Sequence, residues 1–309
     1  MHIFAGSSHP ALAKALAKEL NTELGAVTIK KFSCGESYVK FDESIRGRDV
    51  YILQTGTRNP NEDSMELFLM CQAAKLSFAR TVHVIMPHLP YARQDRVAEP
   101  REPISAQLMA HLLEVSGADH VMILDLHSDQ IQGFFSIPAD ALSGRSIFTD
   151  YFASKNLTSP VVVAPDVGGA KRAKRLADSI GAELAILHKN RPGHHQTEVL
   201  EVVGDVQGKT CILFDDIIDT AGTLLSAKSA LIARGAHPDV YAAASHGVFS
   251  GPAAERLTQA AFKEVVVTDS IPNDANAFPG LVVLSIAPLL AKVIKHIESG
   301  MSVTEIYKK

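Results

Sequence analysis

Short, nearly continuous apolar runs recur along this chain: VYILQTG (50–56), VHVIMPHLP (82–90), HVMILDLHS (120–128), VVVAPDVGG (161–169), LAILHK (184–189), CILFDD (211–216), VYAAASHG (240–247), EVVVTDS (264–270) and LVVLSIA (281–287). A strand with one wet face alternates apolar and polar residues, because successive side chains point to opposite faces of the sheet. These runs do not alternate, so both faces of their sheet must be covered. Between them lie helical patterns at 64–79, 104–116, 170–180, 223–235 and 287–299. Helices that cross over between neighbouring strands cover both faces of a parallel sheet. The pattern therefore predicts an α/β chain of mainly parallel, doubly wound sheets flanked by helices, with a first strand and helix inside MHIFAGSSHPALAKALAKEL.

At 309 residues the chain exceeds what one hydrophobic core usually supports, so two domains are expected. Both halves carry apolar strands that end in chemically active residues, and the turn near SIPADALSGRS (136–146) is a natural join. The expected division is 1–145 and 146–309, with the last residues able to pack back on the first domain. The formal net charge of -4 leaves no electrostatic footprint for nucleic acid. No segment approaches the ~20 apolar residues of a membrane span. Cys34, Cys71 and Cys211 are far apart and form no C-x-x-C pair, which suits a reducing cytoplasm and argues against a disulfide framework or structural zinc. The expected partners are small molecules or copies of this chain.

The stretch CILFDDIIDTAGTLL (211–225) gathers Asp215, Asp216 and Asp219 at the end of an apolar strand. One Asp at a strand-to-helix junction is an ordinary turn or cap. Three within five residues repel unless a cation or hydrogen-bond donors sit among them. The loop Thr220, Ala221, Gly222 and Thr223 then brings backbone amides and hydroxyls to a helix start, where an anion is favoured. A ligand with hydroxyls at one end and a phosphate at the other satisfies both features, and a sugar phosphate is such a ligand.

Other strand ends carry related chemistry. DLHSDQIQGFF offers Asp125, His127 and Asp129, and APDVGGAKR offers Asp166 before a glycine pair. A carboxylate and an imidazole projecting from strand ends suit Mg²⁺ bound partly through water and phosphates. The basic helix face 171–175 reads as solvated surface. PYARQDR supplies Arg93, Gln94, Asp95 and Arg96, whose guanidinium forks suit polyphosphate. HKNRPGHHQTEV places Lys189 and Arg191 in a Gly- and Pro-bearing loop, where two cations can close over a phosphoryl-transfer site. The adjacent His194 and His195 are not expected to share one ion. There is no G-x-x-x-x-G-K-[ST] loop, no G-x-G-x-x-G after the first strand and no G-x-S-x-G elbow.

Taken together, GESYVKFDESIRGRDVYI, PYARQDR, DLHSDQIQGFF, PDVGGAKR, DDIIDTAGT and HGVFSGPA make the chain resemble the ribose-phosphate diphosphokinase (phosphoribosyl pyrophosphate synthetase) family over nearly its whole length. DDIIDTAGT alone would mark only the wider phosphoribosyltransferase class; DLHSDQIQGFF narrows it to the synthetases. The resemblance implies two type I phosphoribosyltransferase-like domains, a homo-oligomer built from dimers, commonly a hexamer, and ATP- and Mg²⁺-dependent synthesis of 5-phosphoribosyl 1-diphosphate. It implies that Asp215 and Asp216 hold ribose hydroxyls and Mg²⁺, and that Asp219, Thr220, Ala221, Gly222 and Thr223 cradle the 5-phosphate. It further implies metal positions at His127 and Asp166, with His127 also at the ATP. The adenine pocket would take Phe32, Cys34, Gly35 and Glu36 from a neighbouring subunit. ATP contacts would come from Arg93, Gln94, Asp95 and Arg96, and loop cations from Lys189 and Arg191, the latter also near ribose 5-phosphate. Ser44, Arg46, Arg101, Gln132, Asp140 and Ser302 match a regulatory interface.

Two stretches depart from the family pattern. Cys34 stands where the family usually has Asp or Asn, and RVAEPREPIS carries Glu99 and Pro100 where phosphate-activated members have a cationic or serine-bearing stretch. A carboxylate there opposes phosphate binding. A type I phosphoribosyltransferase, or a regulatory homologue without chemistry, are the alternative readings of the same acidic loop.

Overall fold

The computed structural model describes residues 1–190 and 199–307, and at 189, 190, 199 and 200 the backbone alone. The chain divides into two units, Met1–Ser143 with Ser270–Pro272 and Ser285–Lys309, and Gly144–Asp269 with Asn273–Leu284.

The first unit begins with β1 (His2–Ala5) and α1 (Pro10–Glu19), then a pair of short strands, β2 (Val27–Lys31) and β3 (Ser37–Phe41). There follow β4 (Asp49–Leu53), α2 (Pro60–Leu76), β5 (Thr81–Ile85), α3 (Ser105–Ser116), β6 (His120–Leu124) and β7 (Ala139–Leu142). The main sheet has the order β1-β4-β5-β6-β7, and each of its pairings is parallel. β2 and β3 form a separate antiparallel hairpin. Sequence periodicity did not predict it, since its residues are only half-buried. Phe4, Ile52, Val84 and Ile123 meet Leu67, Met70 and Leu113 in the core. Proline at the first position starts α1 and α2, where its missing N–H costs nothing.

In the second unit come α4 (Arg145–Ser154), β8 (Pro160–Ala164), α5 (Ala170–Ile180), β9 (Glu183–Asn190), β10 (Val199–Val203) and β11 (Thr210–Ile218). They continue as α6 (Gly222–Ala233), β12 (Tyr241–Gly247), α7 (Ala253–Ala260), β13 (Val265–Thr268) and β14 (Leu281–Leu284), and α8 (Ala287–Glu298) returns to the first unit. The sheet order is β10-β9-β8-β11-β12-β13-β14. β10 runs antiparallel to β9, and the other pairings are parallel.

Both faces of this sheet are dry, as its unbroken apolar runs require. Val161, Val163, Cys211, Leu213, Ala242 and Ala244 pack with Leu224, Ala227 and Leu231 of α6. Their strand neighbours Val162, Ala164, Ile212, Phe214 and Ala243 pack on the other face with Phe148 of α4 and Leu176 of α5. Each fully buried Val or Leu side chain contributes about 1.5–3 kcal/mol. The observed strands stop short of the apolar runs read from sequence: β5 ends at Ile85 and β8 at Ala164. The residues beyond, including Pro87, Pro90 and Pro165, form the loops in which the active residues lie.

Candidate active site

Parallel α/β sheets bind ligands past the carboxyl ends of strands where the chain reverses its order of addition. In the second unit that point lies between β8 and β11. The chain leaves β8 through α5 to β9 on one side, and leaves β11 through α6 to β12 on the other. α5 and α6 lie on opposite faces, so a ligand crevice is expected past the ends of β8 and β11. Asp166 follows β8, and Asp215 and Asp216 lie near the carboxyl end of β11.

The two β11 carboxylates are held by a cation that the sequence reading left on the surface. Arg172 Nη1, on α5, lies 2.8 Å from Asp216 Oδ1 and 3.2 Å from Asp215 Oδ1. The expectation of a solvated basic face at 171–175 is therefore corrected at Arg172. Lys171, Lys174 and Arg175 follow it as exposed residues, Lys174 pairing with Asp178 in the open. The side chain of Asp216 is 6% exposed, that of Asp215 26% and that of Arg172 23%. Burial, and then the adjacent Asp216 charge, push Asp215 well above the usual carboxylate range, while Arg172 pulls it back down. One guanidinium cannot neutralise two carboxylates, so the pair retains an appetite for hydroxyl donors or a further cation.

Beyond β11, Asp219, Thr220, Ala221, Gly222 and Thr223 turn the chain into α6. Ala221 is left-handed, with φ 62° and ψ 4°, and its side chain is buried. That conformation costs an L-residue about 1–2 kcal/mol, so the turn needs an external hold. Four hydrogen bonds supply it. The Val248 and Phe249 amides donate to the Ile218 carbonyl at 2.9 and 3.1 Å, Ser250 Oγ donates to Asp219 Oδ1, and Arg256 Nη1 donates to the Thr220 carbonyl at 2.9 Å. The first helical bond of α6 runs from Leu225 N to Ala221 O. The amides before it are the open ends that favour a phosphate. Within HGVFSGPA it is Ser250 that reaches Asp219.

Asp166 is exposed and its Oδ1 accepts from the Gly169 amide at 2.9 Å. Among the described residues no group of three His, Cys, Asp or Glu side chains gathers to hold an ion. A single exposed carboxylate fits an ion carried mostly by water and phosphate oxygens, as Mg²⁺ usually is. An imidazole suits softer ions better, so the donor chemistry fits Mg²⁺ well at Asp166 and less well at His127. Lys189 lies in β9, paired by its backbone with Leu200; its side chain, with Arg191, His194 and His195, lies outside the described residues.

The remaining candidates belong to the first unit. Phe32, Cys34, Gly35 and Glu36 form the exposed tip of the β2–β3 hairpin. The turn closes through Phe32 N to Glu36 O and Gly35 N to Phe32 O, at 2.8 and 2.9 Å. Gly35 has φ 95°, a value that needs glycine. Phe32 stands edge-on to Tyr38, with centroids 5.8 Å apart, and is 50% exposed. Such an uncovered aromatic is free to stack on a base.

Arg93, Gln94, Asp95 and Arg96 follow β5, and His127 follows β6, which pairs with β5. The loops leave these strands through left-handed Tyr91 (φ 64°) and Asp125 (φ 40°), and backbone outliers of this kind cluster at functional sites. Gln94 accepts from Ser105 Oγ at 2.6 Å. The regulatory candidates all belong to this unit. Ser44 and Arg46 are exposed, with Arg46 over the Phe78 ring. Gln132 donates to Ala139 O, Asp140 meets His120 Nε2 at 3.2 Å, and Ser302 O meets His296 Nδ1 at 3.0 Å. In the departing loop, left-handed Arg101 (φ 77°) precedes Glu102, whose carboxylate already takes the Ala98 and Glu99 amides.

Residues 1–117 match the family described as the N-terminal domain of ribose phosphate pyrophosphokinase. Residues 192–308 match the phosphoribosyl synthetase-associated domain. The chain is 47% identical to the ribose-phosphate pyrophosphokinase of Bacillus caldolyticus over 99% of its length and 98% of that protein's. It is 46% identical to that of Bacillus subtilis (strain 168), over 99% and 97%. The crystal structure of phosphoribosylpyrophosphate synthetase from Mycobacterium smegmatis superposes with a TM-score of 0.91 at 45% identity, covering 97% of this chain and 99% of that one. No described helix is long and apolar enough to cross a membrane. With likeness running end to end in both sequence and fold, this chain belongs to the ribose-phosphate pyrophosphokinase family.

Proposed function

We propose that the chain transfers the β,γ-diphosphoryl group of ATP to the C1 hydroxyl of ribose 5-phosphate, giving 5-phosphoribosyl 1-diphosphate and AMP. The observation that carries this is the pairing of a partly neutralised carboxylate pair with an amide-lined turn, set at the crevice between β8 and β11. Asp215 and Asp216 orient the ribose hydroxyls. The turn from Asp219 through Thr220, Ala221, Gly222 and Thr223 takes the 5-phosphate. Phe32, Cys34, Gly35 and Glu36 meet the adenine of a neighbouring copy's ATP, and Arg93, Gln94, Asp95, Arg96 and His127 contact the ATP bound by their own copy. Asp166 and His127 would hold Mg²⁺, which when bound supplies countercharge to the phosphate oxygens. The chain works as a homo-oligomer built from dimers, a hexamer in the complete assembly.

The anomeric oxygen attacks the β-phosphorus and gives up its proton to solvent. The bond from that phosphorus to the α–β bridging oxygen breaks, and AMP leaves with the electron pair. Little covalent work falls to the protein, so the rate depends on alignment of the two substrates and on the charge of Lys189 and Arg191 near the transferring group.

AMP release from ATP is the test, with and without ribose 5-phosphate, alongside Lys189→Ala. Sugar-dependent AMP that falls by on the order of 10²-fold in the variant supports the transfer. AMP formation indifferent to the sugar phosphate, or none at all, would return the acidic turn to a phosphoribosyltransferase or a partner without chemistry.

A further inference from the structure

Arg256 is unexplained by anything above except its hold on Thr220. It sits on α7, whose Ala253 and Leu257 are buried in the core, so its side chain leaves the helix on a fixed bearing. Both ends of α7 are tied down. Lys228 Nζ caps the last carbonyls, Ala260 O at 2.7 Å and Ala261 O at 2.6 Å, and Ser250, three residues before Ala253, donates to Asp219. The guanidinium thus arrives at the Thr220–Gly222 turn on a braced support, which limits the ordering cost of any ligand it meets.

Two observations point past a purely structural bond. Arg256 spends one N–H on Thr220 O and, among the described residues, has no carboxylate partner; an arginine has five donors in a planar fork. Gly222 also lies directly against the guanidinium, where a Cβ would make ordinary van der Waals contact with Nη1 at 3.6 Å. The cation therefore stands over the same open amides that begin α6.

We infer that Arg256 is a binding residue for the phosphate of the sugar phosphate, the side-chain cation of a cradle otherwise made of amides and hydroxyls, and that it sets the preference for a phosphorylated sugar. This rests on the reading of the 219–223 turn given above. The unused N–H groups would take phosphate oxygens, while Nη1 keeps the turn in register. Charge-assisted bonds of this kind at a partly exposed site are worth on the order of a 10- to 30-fold change in affinity.

Calorimetric titration of ribose 5-phosphate, with ribose as the uncharged control, into the wild type, Arg256→Gln and Arg256→Lys tests this, together with KM, kcat and the melting temperature of each. The expected result is 10- to 30-fold weaker sugar-phosphate binding and a matching rise in its KM for Arg256→Gln. Arg256→Lys should fall between, with the KM for ATP close to wild type. Equal binding by wild type and Arg256→Gln overturns the inference and leaves the proposed reaction standing. Loss of ATP affinity and melting temperature in parallel with sugar-phosphate binding, or no rescue by lysine, assigns Arg256 to structure alone and overturns it too. Failure of the wild type itself to bind ribose 5-phosphate defeats the reading of the turn, and the inference with it.

Discussion

Replacing Arg172 by Gln removes the charge shared by Asp215 and Asp216 but keeps most of the side chain's bulk. Removing one partner from a buried ion pair costs about 3–5 kcal/mol. Arg172 and Asp215 are each about a quarter exposed, so water recovers part of that, and about 2–3 kcal/mol is the expected loss near neutral pH. At roughly 2–4 °C per kcal/mol for a unit of this size, the unfolding transition should drop by about 4–12 °C. The pH dependence is the sharper signature. Asp215 already has a raised folded-state value, so its protonated form is favoured by folding. That contribution is complete below the unfolded carboxylate value and is lost as pH rises through the folded one. Without Arg172 the folded value climbs further, so the stability gap between variant and wild type should widen from pH 5 to pH 8. Thermal denaturation of both proteins across that range checks it. A gap that is constant, or that narrows with rising pH, refutes the claim that Arg172 is the countercharge of the pair.

Gly6→Ala should cost roughly 2–4 kcal/mol, because a Cβ would fall 2.7 Å from Gln54 Cδ and 2.8 Å from Glu66 Oε1. These are the groups that hold Ser7 and Ser8, and a urea midpoint near that of wild type would contradict this packing. Burial, with a lesser push from His120, lowers His83 to about 4 from 6.5. The unfolded chain then binds a proton that the folded one refuses, so stability should fall as pH drops from 6.5 towards 4. The gap is worth at most about 3 kcal/mol, and about 1–2 after allowing for partial exposure. Urea midpoints at pH 7 and pH 5 should therefore differ less for His83→Asn than for wild type. Lys228→Met keeps the stem but uncaps the Ala260 and Ala261 carbonyls; about 1–2 kcal/mol should be lost, and an unchanged melting temperature would show that the cap is idle.

The α/β class and the parallel strands could be read from the sequence because they depend on local periodicity. A strand dry on both faces must be apolar on successive positions, and β8, β11, β12 and β13 each carry such a run before the polar residues of their carboxyl ends. So could the acidic turn, whose Asp215, Asp216 and Asp219 are near neighbours in the chain. The β2–β3 hairpin escaped because half-buried residues leave no clean alternation, and the strand ends were overrun because Pro165 and the apolar residues beside it suit a loop as well as a strand. What only the tertiary structure decided is the set of partners that make the turn usable. Arg172 reaches Asp215 and Asp216 across 43 and 44 residues, Ser250 reaches Asp219 across 31, and Arg256 reaches Thr220 across 36. Along the chain, a lysine- and arginine-rich helix face looks the same whether its cations meet water or a buried carboxylate. The parallel pairing of β8 and β11 in one sheet, with α5 and α6 on opposite faces, is what brought one arginine to the acids and left its neighbour Lys174 in solvent.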